Sequence, residues 1–408
     1  MSASAVQMLE TIAGSVTSPK GFRAAGVCAG IKAKAGALDL ALIVSDRPAS
    51  AAAVFTTNRA QAAPVVVSRE HLSRSGGIAR AVVVNSGCAN ACTGSDGMRD
   101  AREMAERTGA LVACPADQVL VASTGVIGVA LKMDRIREGL PAALRALDAA
   151  GGSLAAQAIM TTDPFPKEAA ARLTIAGREV TVGGIAKGSG MIEPMMATML
   201  GFVTTDAAIA PALLHRALRD VTDDTFNAIT VDGECSTNDC VMILANGASG
   251  VTVDEQSYGA FTDALRAVCL RLALDIVRGG EGATKLVTVT VSGAASAGDA
   301  KRAAKAIANS PLVKTAIHGG DPNWGRLIAV AGRAGVDFNL DRARVMIGPI
   351  VLFEEGRPHD EAAPEAARYL TNDDIAVSVD LGAGSASFTV WTCDLSAEYV
   401  RINAEYRT

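Results

Sequence analysis

The sequence predicts an α/β fold of the α+β kind, and three observations carry the prediction. Runs rich in β-branched residues and bounded by Gly, Asn or Pro recur, as in Ala79–Gly87. Segments with apolar residues at helical spacing lie between groups of these runs. One is Met98–Val112, with Ala101, Met104, Ala105 and Thr108 on one face and charges opposite. Hydrophobic residues make up 49% of the chain and charged residues 20%, a balance that favours a large core over disorder. At roughly 150 residues per domain, the 408 residues suggest two or three domains. No Pro/Ser-rich linker marks a boundary between them.

Taken in order, Ala37–Asp46, Ser50–Asn58, Ala63–Ser68 and Ala79–Gly87 read as strands. Met98–Val112 reads as a helix, and so does Met133–Ala149, where Pro141 predicts a kink or a break. Thr205 and Asp206 supply cap chemistry for a helix through Leu213, Leu214 and Leu218. A long helix is expected over Ala260–Val277, then a half-buried strand over Leu286–Val291. Ala300–Ala316 reads as helix broken near Pro311, and Ser385–Trp391 as a late strand.

Composition excludes several functions. A net charge of −5 argues against a nucleic-acid or anionic-membrane binder, and 4% aromatics leave few rings for base stacking. No stretch is long and apolar enough for a transmembrane helix, and the start lacks a signal-peptide pattern, so a cytoplasmic protein is expected. Eight dispersed cysteines and four scattered histidines fit neither a disulfide scaffold nor a zinc site, and no metal is expected.

The common nucleophile and phosphate motifs are absent. Gly188-Ser189-Gly190 lacks the Gly two residues before Ser that a nucleophile elbow needs, and it continues into neither a Walker loop nor a dinucleotide fingerprint. Six polar segments stand out from their apolar settings: Val121–Gly128, Met160–Asp163, Gly183–Ile192, Pro194–Gly201, Gly280–Lys285 and Arg401–Thr408. Each alone has a bland reading. An isolated Thr198 is a core threonine bonding its own backbone, and a Gly-rich loop is a tight turn. Their occurrence together and in order carries the functional case.

Lys187–Ile192 followed by Met196–Leu200 resembles the self-cleavage region of the ornithine acetyltransferase family, bifunctional glutamate N-acetyltransferases of arginine biosynthesis. The likeness covers nearly the whole chain. It extends through Asn85–Gly87 and Ala89–Gly94, Ser123–Gly128, Met160–Asp163, Ser236–Asp239, Asp321–Arg326 and Asn403–Thr408. The resemblance implies β-sheets sandwiched between helical layers, in two domains, and a precursor that cuts itself between Ala197 and Thr198. An α chain 1–197 and a β chain 198–408 result, with a C-terminal subdomain from about 290 to 408, associated as α2β2.

By the same resemblance Thr198 becomes the N-terminal nucleophile, and Thr124 and Gly125 form the oxyanion hole. Thr161, Lys187, Thr198, Glu281, Asn403 and Thr408 match substrate-binding positions. The chemistry is sound: a Thr hydroxyl needs a base, and a freed α-amine with a pKa near 7.7–8.0 provides one without histidine. The implied reaction moves acetyl from N2-acetylornithine to glutamate through a Thr198 ester, with ping-pong kinetics and no cofactor. Whether acetyl-CoA is a second donor stays open. One site must hold both an ammonium and a carboxylate side-chain end, which predicts hydroxyls, amides or water there rather than a fixed charge.

Three positions depart from the family pattern: Met195 where Asn is common, Gly279 where Asp is common, and Cys235 where a polar residue is expected. Met195 bears on the efficiency of self-cleavage, and Gly279 on the loop carrying Glu281. The rivals are a Thr-nucleophile amidohydrolase or aminopeptidase, a cysteine acyltransferase using Cys88, and a non-cleaving binding protein of the same fold.

Overall fold

The structure is a computed structural model and describes residues 9–193 and 199–405. The first half carries strands β1 (Leu9–Ile12), β2 (Phe22–Val27) and β3 (Leu40–Phe55), helix α1 (Ala63–Arg74), β4 (Ile78–Cys88), α2 (Gly94–Val112), β5 (Val119–Val126), α3 (Met133–Arg145), α4 (Gly152–Ala158), β6 (Lys167–Ile175) and β7 (Arg178–Lys187). The second half begins with β8 (Leu200–Thr205), β9 (Ala208–Ile209), α5 (Pro211–Asp224), β10 (Cys240–Ala245), β11 (Thr252–Val253) and α6 (Tyr258–Arg278). A further block follows: β12 (Leu286–Ala294), α7 (Ala297–Ala308), α8 (Pro311–His318), α9 (Trp324–Gly332), β13 (Arg344–Ile347), β14 (Ile350–Glu354), β15 (Arg357–Pro358), α10 (Ala363–Tyr369), β16 (Asp374–Asp380), β17 (Ala386–Cys393) and α11 (Ala397–Glu405).

Nine strands form one sheet in the order β1-β6-β7-β8-β10-β3-β4-β5, with β2 also on β3. Only β4–β5 and β8–β10 run parallel. The organising element is β3. Its first half pairs with β2 and β4, its second half with β10, and its register on β4 shifts between Val44 and Ala49. At this irregularity, which accommodates Pro48, the strand changes sheet half. Phe22, Val82, Val84 and Leu120 of one half share a core with Ile185, Leu200, Phe202 and Met242 of the other. The outer faces are covered by helices: α1–α3 over β3, β4 and β5, and α5 and α6 over β6–β8 and β10. Sheets thus lie between helical layers, as the resemblance implied. A second, six-stranded sheet, β15-β14-β13-β16-β12-β17, has its own core with α7 and α9, and Trp391 bridges back to Ile229.

Four local expectations are corrected. The two strands expected at Ala37–Asp46 and Ser50–Asn58 are one strand, β3, because the bulge bends the chain without ending it. Ala63–Ser68, expected as a strand, opens α1. Pro64 takes the first turn, where its missing N–H costs nothing. The helix covers the free edge of β5: Ser68 bonds both the N–H and the carbonyl of Val121 at 2.8 and 2.7 Å, and His71 Nδ1 lies 2.8 Å from the Val119 carbonyl. Edge protection at i, i+3 spacing outweighs the β-propensity of three valines. Pro141 lies inside α3 and does not break it, and the helix ends at Arg145 rather than at Ala149. Thr205 and Asp206 cap no helix. Thr205 ends β8, α5 starts at Pro211, and the Asp206 carboxylate accepts from the N–H groups of Thr181 (2.9 Å) and Lys20 (3.1 Å). The polar end at Arg401 is the last turn of a helix, α11.

Among the described residues no helix is long and apolar enough to cross a membrane.

Candidate active site

Strand ends converge on one cleft. The end of β5 brings Thr124 and Gly125, the end of β7 brings Lys187, and the loop before β6 brings Thr161. The turn after α6 brings Glu281, and α11 brings Asn403. All six are sequence-predicted site residues, and all six line the cleft. Thr198, Ala197 and Thr408 lie outside the described residues, as does Met195; Met199 and Leu200, next in sequence to Thr198, line the cleft.

Lys187 is buried and its Nζ donates to Thr124 Oγ1 at 3.1 Å. An ammonium only donates, so the Thr124 hydroxyl must accept and its own hydrogen stays free for another acceptor. Lys187 is also the single cation among the described lining residues. Gly125 has φ +126°, and a Cβ there would lie 2.4 Å from the Gly87 carbonyl carbon, so only glycine fits between the paired ends of β4 and β5.

Beneath Lys187 lies a buried ionic layer that the sequence reading did not assign. Asp163 accepts from Lys167 Nζ at 2.5 Å, Gly188 N–H at 2.7 Å and Thr161 N–H at 3.0 Å. Burial by itself raises its carboxyl; the ammonium groups of Lys167 and Lys187 and these hydrogen bonds overcome it and bring the pKa to about 2. Burial lowers the Lys167 ammonium, opposed by Asp163. The layer ties the Thr161 loop to the end of β7. Its signal was the Asp163/Lys167 pair in a Pro-rich stretch, unreadable without knowing that both are buried.

Glu281 is a buried residue of the cleft wall. Its Oε2 accepts from Asn403 Nδ2 at 2.8 Å, and its N–H donates to the Ser189 carbonyl at 2.9 Å. A Cβ at Gly190 would lie 2.4 Å from Glu281 Oε2, so the second glycine of Gly188-Ser189-Gly190 makes room for this carboxylate. Gly279 abuts Lys167 instead: a Cβ there would lie 3.3 Å from Nζ. A side chain at this position would therefore start beside Lys167.

The loop before β10 supplies residues that the sequence marked only as a motif. Asn238 Nδ2 donates to the carbonyls of Ala89 and Ser123 at 2.5 and 2.9 Å, holding the ends of β4 and β5 together. Asp239 is fully buried, and its Oδ2 has no hydrogen-bond partner among the described residues. Burial pushes its carboxyl well above the usual range, against the weaker pull of Ser236 and Lys187. Ser236, Thr237 and Asn238 add hydroxyl and amide groups to the wall, and Asp232 and Glu234 add carboxylates. Cys235 lies on the same loop, its carbonyl bound by Asn58 Nδ2 at 2.9 Å. Cys88 is buried, its thiol donates to the Val129 carbonyl, and burial pushes its pKa up, the opposite of an activated nucleophile.

The model of the ArgJ family matches residues 23–408. The chain belongs to the ArgJ family. ArgJ-family relatives named arginine biosynthesis bifunctional protein ArgJ include those of Symbiobacterium thermophilum, 52% identical over 98% of this chain and 100% of its own, and Synechococcus, 50% identical over 98% and 99%. A crystal structure of the ArgJ protein from Bacillus halodurans matches with 46% identity and a TM-score of 0.50 over 51% of this chain and 100% of its own. ArgJ membership makes the chain an acyltransferase of arginine biosynthesis, as the resemblance implied.

Proposed function

We propose that this ArgJ-family chain transfers acetyl from N2-acetylornithine to glutamate through an ester on Thr198, freed by self-cleavage between Ala197 and Thr198. The observation that carries the reading is the Lys187–Thr124 hydrogen bond in a cleft that Met199 also lines. It leaves the Thr124 hydroxyl hydrogen beside Gly125, where an acyl-transfer site needs donors for a developing oxyanion. The chain of the Bacillus halodurans structure, matched whole by 51% of this one, has the length a cut near the middle leaves. The products here are fragments of 197 and 211 residues, 1–197 and 198–408. The cleft draws on both, since Thr124 and Lys187 precede the cut while Glu281 and Asn403 follow it, so the fragments stay together, as α2β2. Residues from about 290 form a C-terminal subdomain on the second sheet.

The freed α-amine takes the Thr198 hydroxyl proton as Oγ attacks the acetyl carbon. Thr124 and Gly125 stabilise the tetrahedral oxyanion. The amide C–N bond breaks, the ammonium returns its proton to the departing amine, and ornithine leaves. The glutamate amine attacks the ester and the sequence reverses. Lys187 meets the α-carboxylate common to both amino acids. Thr161, Glu281, Asn403 and Thr408 complete the substrate contacts. The acetyl group rides on the enzyme, so no cofactor enters, and acetyl-CoA is a second donor to be assayed.

Intact mass under denaturing conditions is the first test. Two species, ending at Ala197 and starting at Thr198, are expected, with parallel-line initial-rate patterns for N2-acetylornithine and glutamate. A single 408-residue species that transfers no acetyl overturns the reading.

A further inference from the structure

The stretch that leads into the proposed cut is held by hydrogen bonds from beyond it. Asp232 accepts from Met191 N–H at 2.7 Å through Oδ2 and from Ile192 N–H at 2.8 Å through Oδ1. The Ile192 carbonyl in turn accepts from Val231 N–H at 2.7 Å and the Thr230 hydroxyl at 2.9 Å. Glu193 accepts from Asn309 Nδ2 at 2.7 Å and pairs with Lys305 at 3.4 Å. Met191 sits at φ +58°, a left-handed conformation that a bulky side chain adopts only where its surroundings impose it. Across the stretch, the Met199 carbonyl accepts from Cys240 N–H at 3.0 Å, and Leu200 pairs with Lys187 and Cys240. Both flanks of residues 194–198 are therefore anchored by bonds that do not run through it.

We propose that Asp232 is a positioning residue for self-cleavage, fixing the upstream end of the segment in which Thr198 attacks Ala197. The inference rests on the cut proposed above. In that step Thr198 Oγ attacks the Ala197 carbonyl carbon, and the Ala197–Thr198 C–N bond breaks. The hydroxyl proton ends on the new amine. Water then hydrolyses the ester to the Ala197 carboxylate and the Thr198 hydroxyl. Fixing the ends of a short segment removes conformations in which nucleophile and carbonyl are apart, which is how pre-organisation lowers such a barrier. A carboxylate suits the task, since its two oxygens accept from two adjacent N–H groups, whereas an amide would turn an NH2 toward one of them. After the cut the same bonds keep Met191 and Ile192 in the cleft wall, and the Tyr399 hydroxyl, 3.2 Å from Asp232, joins them to α11.

The test uses full-length chain made by cell-free translation, sampled over time and read by intact mass. Wild type, Asp232→Asn and Asp232→Ala are compared, with near-UV circular dichroism and melting temperature of each. Asp232→Asn, nearly the same shape, is expected to slow cutting at least tenfold while the dichroism and melting temperature stay close to wild type; Asp232→Ala slows it further. Should the alanine variant not fold, the asparagine variant decides. Wild type cut and Asp232→Asn cut at the same rate overturns the inference, and so does slow cutting with a collapsed melting temperature, which marks a merely structural role. An uncut wild type overturns the proposed function itself, a distinct result.

Discussion

Lys187 and Thr124 come from different halves of a folded sheet, 63 residues apart, and meet in a 3.1 Å hydrogen bond inside a buried cleft. The direction of that bond matters more than its length, because an ammonium donor leaves the threonine hydroxyl as the donor toward substrate. Thr124→Val removes the donor while keeping the side-chain shape. Its kcat is expected to fall about 10²- to 10³-fold, the usual loss for one oxyanion donor. The KM values for N2-acetylornithine and glutamate should move far less. A KM effect with unchanged kcat would place Thr124 in ground-state binding instead.

Gly125 tests the same corner through sterics. Its φ of +126° and the 2.4 Å separation between an added Cβ and the Gly87 carbonyl carbon leave no room for a methyl group. Gly125→Ala is expected to lose about 3 kcal/mol of stability, from backbone strain and overpacking together. Chemical denaturation with wild type in parallel measures the loss.

The buried Asp163–Lys167 pair sets an acid limit on stability. The folded pKa of Asp163, about 2, lies below its ordinary 3.8. Between those values the unfolded chain binds the proton more readily. The stabilisation is therefore complete above 3.8 and is lost as pH falls toward 2. Asp163→Asn strands the Lys167 ammonium without a charge partner and is expected to cost about 3–5 kcal/mol at neutral pH. Urea midpoints of both proteins from pH 2 to 7 should converge at the acid end.

Asp239 works in the opposite sense. Burial holds its carboxyl neutral well above 3.8, so the folded protein keeps a proton that the unfolded chain releases. Its contribution is fully present below 3.8 and declines as pH rises toward the elevated folded pKa. Asp239→Asn cannot ionise, so its melting temperature is expected to gain on wild type as pH rises from 4. Parallel melting curves across that range would show that Asp239 ionises as freely folded as unfolded.

Cys88→Ala separates the threonine from the cysteine reading. The thiol is buried and bonded to the Val129 carbonyl. Full acetyl transfer is expected, with a stability loss of about 1 kcal/mol. An inactive, folded Cys88→Ala enzyme would reopen the thiol mechanism.

Fold class, most long elements and the motifs are legible in the residues alone. Helical spacing over Met98–Val112 and Ala260–Val277, and strand character over Ala79–Gly87 and Leu286–Val291, all reappear, because burial of one face is written in local periodicity. The order of the polar segments carried the family, and six of the expected site residues share one cleft. The features settled by three-dimensional packing depend on partners far away in the chain. Val65–Val67 became helix because Ser68 and His71 satisfy the edge of β5. Asp206 bonds the backbone of Thr181 and Lys20 rather than capping a helix. In sequence Asp163 and Asp239 stand only as the last residues of polar motifs, and Lys167 and Asp232 as ordinary surface charges. Burial gives Asp163, Lys167 and Asp239 their perturbed proton affinities, whereas half-buried Asp232 takes its backbone partners, Met191 and Ile192, from about forty residues away; no local pattern encodes how deeply a charge will be buried or which distant N–H it will meet.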